Sequence, residues 1–575
     1  MIQLHDAFKT FTADQDKVLP PEETVRRFRK RLAEIDLDIL AETIRIDNGR
    51  LDIPVFFSTC GKDARQIIGT KKQMGKGASP AQAEASAVME LAERFSFFSF
   101  ARNPENFTVA THRQIGPEAI DYSQIALSVH DEGPDAEQAR AIYEELPMRW
   151  AKGYCLTRQA PVMVPFDWFF AINEFNGPSA GNCVEEALSQ GICEIVERHV
   201  SSVISRGRIP VPRIDPDSAK DPAVVEMLGK YQKAGIRVTA SDFTLQMGIP
   251  SVAVLAYDPA TFPGNSEIVW TAGTTPNPEK ALSRALTEVA QLAGDFDSGA
   301  NYVASGLPKF TRLEDAGYIR NASETVTIDR LPDLSDDNIR VEVERLISAL
   351  ADRDLEVIVI ETTHPLLGIP AFYTIIPGAH FRERAHQTSV GMFTAKLLTE
   401  KLPPEEAAAQ LAEMDRRLPG KYYVKFQMGV CRLNAGSLES AAGELSAALR
   451  LDPSAEDRTT IHSYLGVCYK EMGRYEEALA VLGEGLSIDA DRTDILNLMG
   501  FCRFKLGQHE QAIEHFKAAV DLDPSSAIDY ANIAVNYREM GNTQKAVEYF
   551  ELALALDPGI DFAREGLVTL LEEQQ

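Results

Sequence analysis

Four polar residues stand at helical spacing in the stretch GKGASPAQAEASAVMELAERFSFF, Gly75 to Phe98: Ser86, Glu90, Glu93 and Arg94. At about 100° per residue they fall on one side of a helix. A second stretch, NGPSAGNCVEEALSQGICEIVERH from Asn176 to His199, gathers Glu186, Gln190, Glu194, Glu197 and Arg198 on one face in the same way. The pattern ExxER therefore occurs twice, about a hundred residues apart. Carboxylates projected from two helices suit a hard divalent cation such as Mg2+, which takes oxygen ligands and keeps phosphate oxygens in its shell. A third stretch, TAGTTPNPEKALSRALTEVAQLAG, adds Arg284, Glu288 and Gln291 at helical spacing. Glu and Arg on an amphipathic helix usually form a solvated face. Two copies, each entered from a Gly-containing segment and neither backed by a charged opposite face, favour a metal and phosphate site instead.

The elements that must carry these residues follow from local signals. A Gly-Lys-Gly turn and Ser79-Pro80 open the first helix, and the Ala, Glu, Leu and Met content sustains it. A Gly-rich, small-residue segment leads into the second. Upstream, PPEETVRRFRKRL from Pro20 has a helix start, with prolines followed by acidic residues, and its basic run Arg26 to Arg31 reads as a solvated face. LDIPVFFS, residues 51–58, reads as a buried strand, with a polar loop running on to Gly75. DAEQARAIYEEL reads as a helix and PVMVPFDWFF as a strand. LEVIVIETTH and IPAFYTIIPG supply two more strands near residues 355–378. Helices interleaved with strands in this way indicate an α/β or α+β domain over residues 1–385.

Residues 386–420 are expected to form a helical linker, and residues 421–575 a repeat array. Gly466, Gly500 and Ala534 recur every 34 residues, as do Gly473, Gly507 and Gly541, and Pro524 and Pro558 end two units. An earlier unit carries Gly429, Gly436 and Pro453 at a spacing of 37. The array matches the tetratricopeptide pattern, about four all-α repeats stacked as a superhelix whose groove binds a partner. Its alternative use is packing against the first domain or forming a homodimer interface.

Composition narrows the function classes. At 575 residues the chain exceeds one typical core. A formal net charge of −27 opposes general binding to nucleic acid or an anionic membrane. Seven cysteines without a CxxC pair indicate packed, reduced thiols, with neither a disulfide framework nor a zinc site. The opening MIQLHDAFKTFTADQDKVLP has neither signal-peptide nor transit-peptide character, and no run reaches the roughly 20 apolar residues of a membrane span. The expectation is a cytoplasmic protein.

The first two stretches and RALTEVAQ, in this order, resemble the YcaO family over roughly residues 15–385. With the tetratricopeptide tail, the chain further resembles the subgroup described as accessory to β-methylthiolation of ribosomal protein S12. The resemblance implies an ATP site built across helices with no P-loop, and GxxxxGK[ST] is indeed absent from the sequence. It implies that Glu90, Glu93, Glu194 and Glu197 hold Mg2+ against the triphosphate. Ser86, Asn182, Glu186 and Arg198 would line the nucleotide, and Arg284 with Glu288 would complete its site. KVLPPEET resembles the family's opening segment, which adds Lys17 and Thr24 as phosphate contacts.

The activity implied is ATP-dependent activation of an amide carbonyl, whose oxygen becomes a leaving group that a thiol, hydroxyl or sulfide can displace. Azoline-forming members end in a PxPxP tail, whereas this chain ends LVTLLEEQQ, so a modification other than azoline formation is expected, of the thioamide type. No peptide-recognition domain precedes the YcaO part, which leaves substrate selection to the repeats or to a separate protein. The competing expectation is a non-catalytic, ATP-binding accessory factor for methylthiolation of ribosomal protein S12. A repeat scaffold with a decayed YcaO part is disfavoured by the intact carboxylate motifs. His199, the last residue of ERH, is expected to be structural, and no general base is evident.

Overall fold

The computed structural model describes all residues except 1, 48, 70–71, 132, 134, 264–265, 267, 294–295, 297–309, 311, 323, 382–387, 524–525 and 574–575. The chain divides into two compact units: Met1–Gly133 with Glu144–Val390, and Pro134–Tyr143 with Gly391–Gln575. The boundary expected at residue 385, and Pro524, lie outside the described residues.

The first unit is a mixed α/β domain built on three sheets among the described residues. The first sheet is antiparallel and contains Leu40–Arg45, Val55–Cys60 and Gln73–Lys76 in that order. The second runs Val269–Thr274, Ser251–Tyr257, Arg237–Asp242, Arg213–Ile214, Thr325–Val326, antiparallel until its last, parallel pair. The third runs Thr108–Ala110, Met148–Cys155, Ile358–Glu361, Ala371–Ile375, Pro178–Ala180, with Ala160–Pro165 paired to Met148–Cys155.

Each sheet supports one long helix. The first acidic helix, Pro80–Arg102, lies on the first sheet; the second, Val184–Gly207, lies on the third; and the arginine helix, Pro278–Ala293, lies on the second. The apolar faces decide this seating. Val88, Leu91, Ala92 and Phe95 join Val25 and Phe28 in one core, while Ala281, Leu282, Ala285, Leu286 and Val289 pack on Val252, Val254 and Val269 in another. Burying a Val, Leu, Ile or Phe side chain in such a core contributes about 1.5–3 kcal/mol.

Glycines bring helix and strand together. A Cβ on Gly75 would lie 2.1 Å from the Ala87 nitrogen, and one on Gly273 would lie 2.3 Å from the Ala281 oxygen. Only glycine permits this approach. Three expectations are corrected by these elements. The Gly-Lys-Gly segment is not a turn, because Gly75 and Lys76 end a strand in register with Phe56 and Val55. The loop before it contains the helix Lys62–Ile68. PVMVPFDWFF is a strand only to Pro165, and Phe166–Asn173 is helical, with Asp167 taking the Arg149 guanidinium and backbone N–H.

The second unit is all-α. Paired helices Tyr422–Asn434 and Leu438–Leu449, Ala455–Glu471 and Tyr475–Ile488, Thr493–Lys505 and His509–Leu522, and Ala527–Glu539 and Thr543–Leu556 succeed one another. Gly436, Gly473, Gly507 and Gly541 make the turns within the pairs, with φ of 72–74°. That left-handed backbone favours glycine. Gly466 and Gly500 sit where paired helices cross, against Leu482 and Phe516. The segments Val390–Lys401 and Pro404–Arg417 are helical, and bury Ala395, Leu397, Leu398, Ala407, Leu411 and Met414.

Candidate functional site

The three long helices converge on one cavity of about 300 Å³ within the first unit. The first acidic helix is capped by Ser79, whose side chain accepts from the Gln82 N–H, and it points Ser86, Glu90, Glu93 and Arg94 into the cavity. Burial raises the Glu90 carboxyl above its ordinary range. Burial, and then the Glu194 and Glu90 charges against the opposing Arg94, holds Glu93 well above it. Arg94 reaches Glu93 at 3.4 Å and donates to the Phe175 carbonyl at 3.2 Å. Desolvation disfavours these carboxylates as anions, which a divalent cation would reverse.

The second acidic helix contributes Glu186, Gln190, Glu194 and Arg198 to the same walls. Burial raises Glu194 as well, with Arg198 and Arg94 working against the rise. Arg198 lies 4.0 Å from Glu194 and 3.7 Å from Glu197, too long for tight pairing. Among the described residues its buried Nε has no hydrogen-bond partner. Among the described residues no three acidic side chains are already closed into a metal-holding group, but an orphaned guanidinium N–H beside these carboxylates suits a phosphate that would bring a divalent cation with it.

Arg284 of the arginine helix donates to Glu197 at 3.2 Å and to Gln190 at 3.1 Å. Burial works against its cation, but Glu197 and Glu194 hold its pKa above the ordinary value. Glu197 is 2% exposed, lies behind the cavity wall, and also accepts from the Thr274 N–H. Glu288 contacts Lys76, the residue that ends the first-sheet strand. Burial, followed by the Arg284 charge, draws the Lys76 ammonium down to about 7.

The remaining wall is a strap formed by the amino-terminal segment. Asp14 accepts from the Ala78 N–H and the Ser283 hydroxyl, and Lys280 donates to the Thr12 and Ala13 carbonyls. Asp14, Gln15, Lys17 and Leu19 face the cavity. Glu186 accepts from Val18 N–H at 2.6 Å and from both nitrogens of Asn182 at 2.9 and 3.0 Å. Thr24, at the start of the helix Pro21–Glu34, donates to Asn182 Oδ1 at 3.1 Å.

The structure thus brings Lys17, Thr24, Ser86, Glu90, Glu93, Asn182, Glu186, Glu194, Arg198, Arg284 and Glu288 to the cavity lining, with Glu197 directly behind it. Sequence reasoning missed Lys76 and Asp14. The signal for Lys76 was present in Gly75-Lys76-Gly77, where glycines on both sides allow the backbone close to the helix. Asp14 had no local signal, because its partners are remote in sequence. His199 accepts from the His380 N–H at 3.0 Å, and burial lowers its pKa to about 4. That is a structural role. Cys193, in the same helix, is buried and pushed up to about 12, an inert thiol.

Comparison with known proteins adds four findings. The family model described as YcaO cyclodehydratase, ATP- and Mg2+-binding, matches residues 74–380, and tetratricopeptide models match residues 465–492 and 491–558. An uncharacterized protein of Methanothermobacter thermautotrophicus is 28% identical over 379 residues, 62% of this chain and 93% of its own. The ribosomal protein S12 methylthiotransferase accessory factor YcaO of Escherichia coli is 27% identical over 409 residues, 64% of this chain and 66% of its own. The solved structure of YcaO from Methanopyrus kandleri bound with AMPPCP and Mg2+ superposes with a TM-score of 0.50 at 25% identity, covering 65% of this chain and 94% of that one.

Proposed function

The chain belongs to the YcaO family, and from that premise we propose that its first unit binds ATP with Mg2+ and activates a peptide backbone amide or related carbonyl, in a thioamide-type or other modification of a protein substrate. The family supports ATP-dependent amide activation in general terms. The observation that carries the reading to this cavity is that Glu90, Glu93 and Glu194, all half-buried, line it together, beside an Arg198 Nε with no hydrogen-bond partner among the described residues. Glu90, Glu93, Glu194 and Glu197 are the metal-holding groups. Arg198, Arg284 and Lys17 neutralise phosphate charge, joined by Arg94 and Lys76. Ser86, Thr24, Asn182, Glu186 and Glu288 line the nucleotide.

ATP supplies the group that turns an amide oxygen into a leaving group. The residues of this chain position and neutralise, which is how phosphoryl transfer is accelerated in general. The cations stand where the carboxylates would otherwise repel a polyanion, and the strap forms one wall of the cavity. The domain assignment that accompanies this reading gives nucleotide chemistry to residues 1–385, a helical connection to 386–420 and partner docking to 421–575.

Nucleotide binding with Mg2+ and labelled ATP, comparing the parent protein with Glu194→Ala, tests the proposal. No binding by the parent would overturn it. The accessory factor of E. coli, similar over 64% of this chain, favours a second reading, a non-catalytic ATP-binding role in methylthiolation of ribosomal protein S12. Proteome mass spectrometry with and without the protein separates the two. Loss of sulfur-for-oxygen exchange supports amide modification, and loss of a methylthio group supports the accessory role.

A further inference from the structure

The two ends of the nucleotide cavity differ in their access to solvent. At the strap end Thr24 and Glu186 are 5% and 3% exposed. At the carboxylate end the side chains of Glu90 and Arg198 keep 33% and 34% of their surface accessible. On the proposed reading the triphosphate ends among these groups, so an acceptor carbonyl comes in beside them. One aromatic residue stands at that opening. Phe175 is 42% exposed. Its carbonyl takes an Arg94 N–H at 3.2 Å, and its ring centroid lies 5.9 Å from the carbon of the same guanidinium. Arg94 in turn lies 3.4 Å from Glu93 and 3.9 Å from Glu90. Behind the ring stand Phe98 and Phe170, both half-buried, with centroids 5.8 and 6.5 Å from that of Phe175. The three rings form an apolar shelf that runs from solvent to the lip of the carboxylate end.

The turn that presents the ring is held at a cost. Glu174 has a φ of 46°, a left-handed backbone that a residue with a Cβ disfavours. Gly177 has a φ of 101°, and a Cβ there would lie 2.2 Å from the Thr374 oxygen. Asn173, 3% exposed, has a side-chain Nδ2 with no hydrogen-bond partner among the described residues, and an unsatisfied buried donor is destabilising. Holding Arg94 requires only the backbone carbonyl of residue 175, which any side chain would leave in place. The ring itself gains little from a cation 5.9 Å away, near the limit of such contacts. Strain that packing does not explain is characteristic of positions that serve a ligand.

We propose that Phe175 positions the acceptor: an apolar side chain beside the amide to be activated rests on the Phe175 ring, and the carbonyl oxygen then passes Arg94 to the Mg2+-ATP end of the cavity. The substrate class is a peptide with an apolar residue at the modified amide. The inference rests on the nucleotide reading and adds the acceptor's side of the same site.

The test uses the full chain saturated with Mg2+ and a non-hydrolysable ATP analogue, and ligand-observed NMR titration with two neutral, end-blocked tripeptides, Ala-Leu-Ala and Ala-Ser-Ala. The leucine peptide binds about tenfold more tightly than the serine peptide. Phe175→Ala abolishes that preference and Phe175→Leu restores most of it, while the melting temperature and the affinity for Mg2+-ATP stay at the parent's values in both. A ring that only shields Arg94 gives the opposite split, with Mg2+-ATP affinity altered in Phe175→Ala and the peptide preference retained. That result overturns the proposal, as does equal binding of the two peptides by the parent, or binding of neither. A parent that fails to bind Mg2+-ATP overturns the nucleotide reading and this inference with it, so the two failures are told apart by the nucleotide titration.

Discussion

Glu93 and Glu194 share one cavity wall from two different helices, and burial together with the Glu194 charge holds the Glu93 carboxyl well above its ordinary range. On the proposed reading, replacing one of these carboxyls relieves the ligand-free protein and weakens the proposed Mg2+ site. Glu93→Gln should raise the melting temperature of the ligand-free protein by roughly 2–4 °C and weaken Mg2+-dependent ATP binding at least tenfold. Thermal melts with and without Mg2+-ATP check both, and equal loss of stability in the two states would contradict the assignment.

Proton linkage gives a second expectation. Glu90, Glu93 and Glu194 all carry raised values, so the folded state holds their protons more tightly than the unfolded chain does. Stability of the ligand-free protein therefore falls as the pH rises from the ordinary carboxylate range through the raised values. Metal capture needs the anions, so Mg2+ affinity rises over the same interval and binding releases protons. Calorimetry in buffers of different ionisation enthalpy measures that release. An affinity flat from about pH 5 to pH 8 would contradict it.

Glu186 works as a frame for the strap. Its two oxygens accept from Val18 N–H and from both nitrogens of Asn182, a set that an amide cannot reproduce. Glu186→Gln should cost about 1–3 kcal/mol through the unsatisfied donor. Faster amide exchange at Val18 and weaker nucleotide binding would accompany it, and unchanged exchange would remove the framing role.

Lys76 separates charge from space. Lys76→Met keeps the volume beside Glu288 and removes the cation, whereas Lys76→Arg keeps the cation. ATP affinity should fall by about tenfold in the first, about 1.4 kcal/mol, and by less in the second. Equal affinities for the parent and the Met variant, in a titration with Mg2+-ATP, would exclude Lys76 from the site.

Two glycines in the repeats make a matched pair. A Cβ on Gly466 would lie 2.3 Å from Leu482 Cδ2, while one on Gly443 meets nothing within 4 Å. Gly466→Ala should destabilise the second unit by about 1–3 kcal/mol through overpacking. Gly443→Ala, in a helix interior, should stabilise it by about 0.5–1 kcal/mol. Limited proteolysis of the repeats reports both.

The acidic faces were legible because a helix projects every third or fourth residue to one side, and the polar positions of both ExxER stretches kept that period. The repeats were legible from a second, longer period, since Gly466, Gly500 and Ala534 recur every 34 residues. The first-sheet strand at Gly75 was hidden by its own glycines, which signal a turn but here admit the helix backbone at 2.1 Å. Phe166–Asn173 was hidden by burial all round: Phe166, Trp168 and Phe169 are each at most 1% exposed, so no polar side marks the helical period. Asp14 was illegible because Ser283 lies 269 residues away.

The contacts of Lys280 and Ser283 with residues 12–14 also order events during synthesis. The strap leaves the ribosome first, and the side chains that fasten it follow 267–269 residues later. At translation speeds of about 5–20 residues per second that gap is on the order of tens of seconds. Both acidic helices are made within it, so a nascent chain carries the whole set of glutamates before it has the wall that encloses them. On the proposed reading, the enclosed nucleotide site therefore belongs to the finished domain and not to the growing chain.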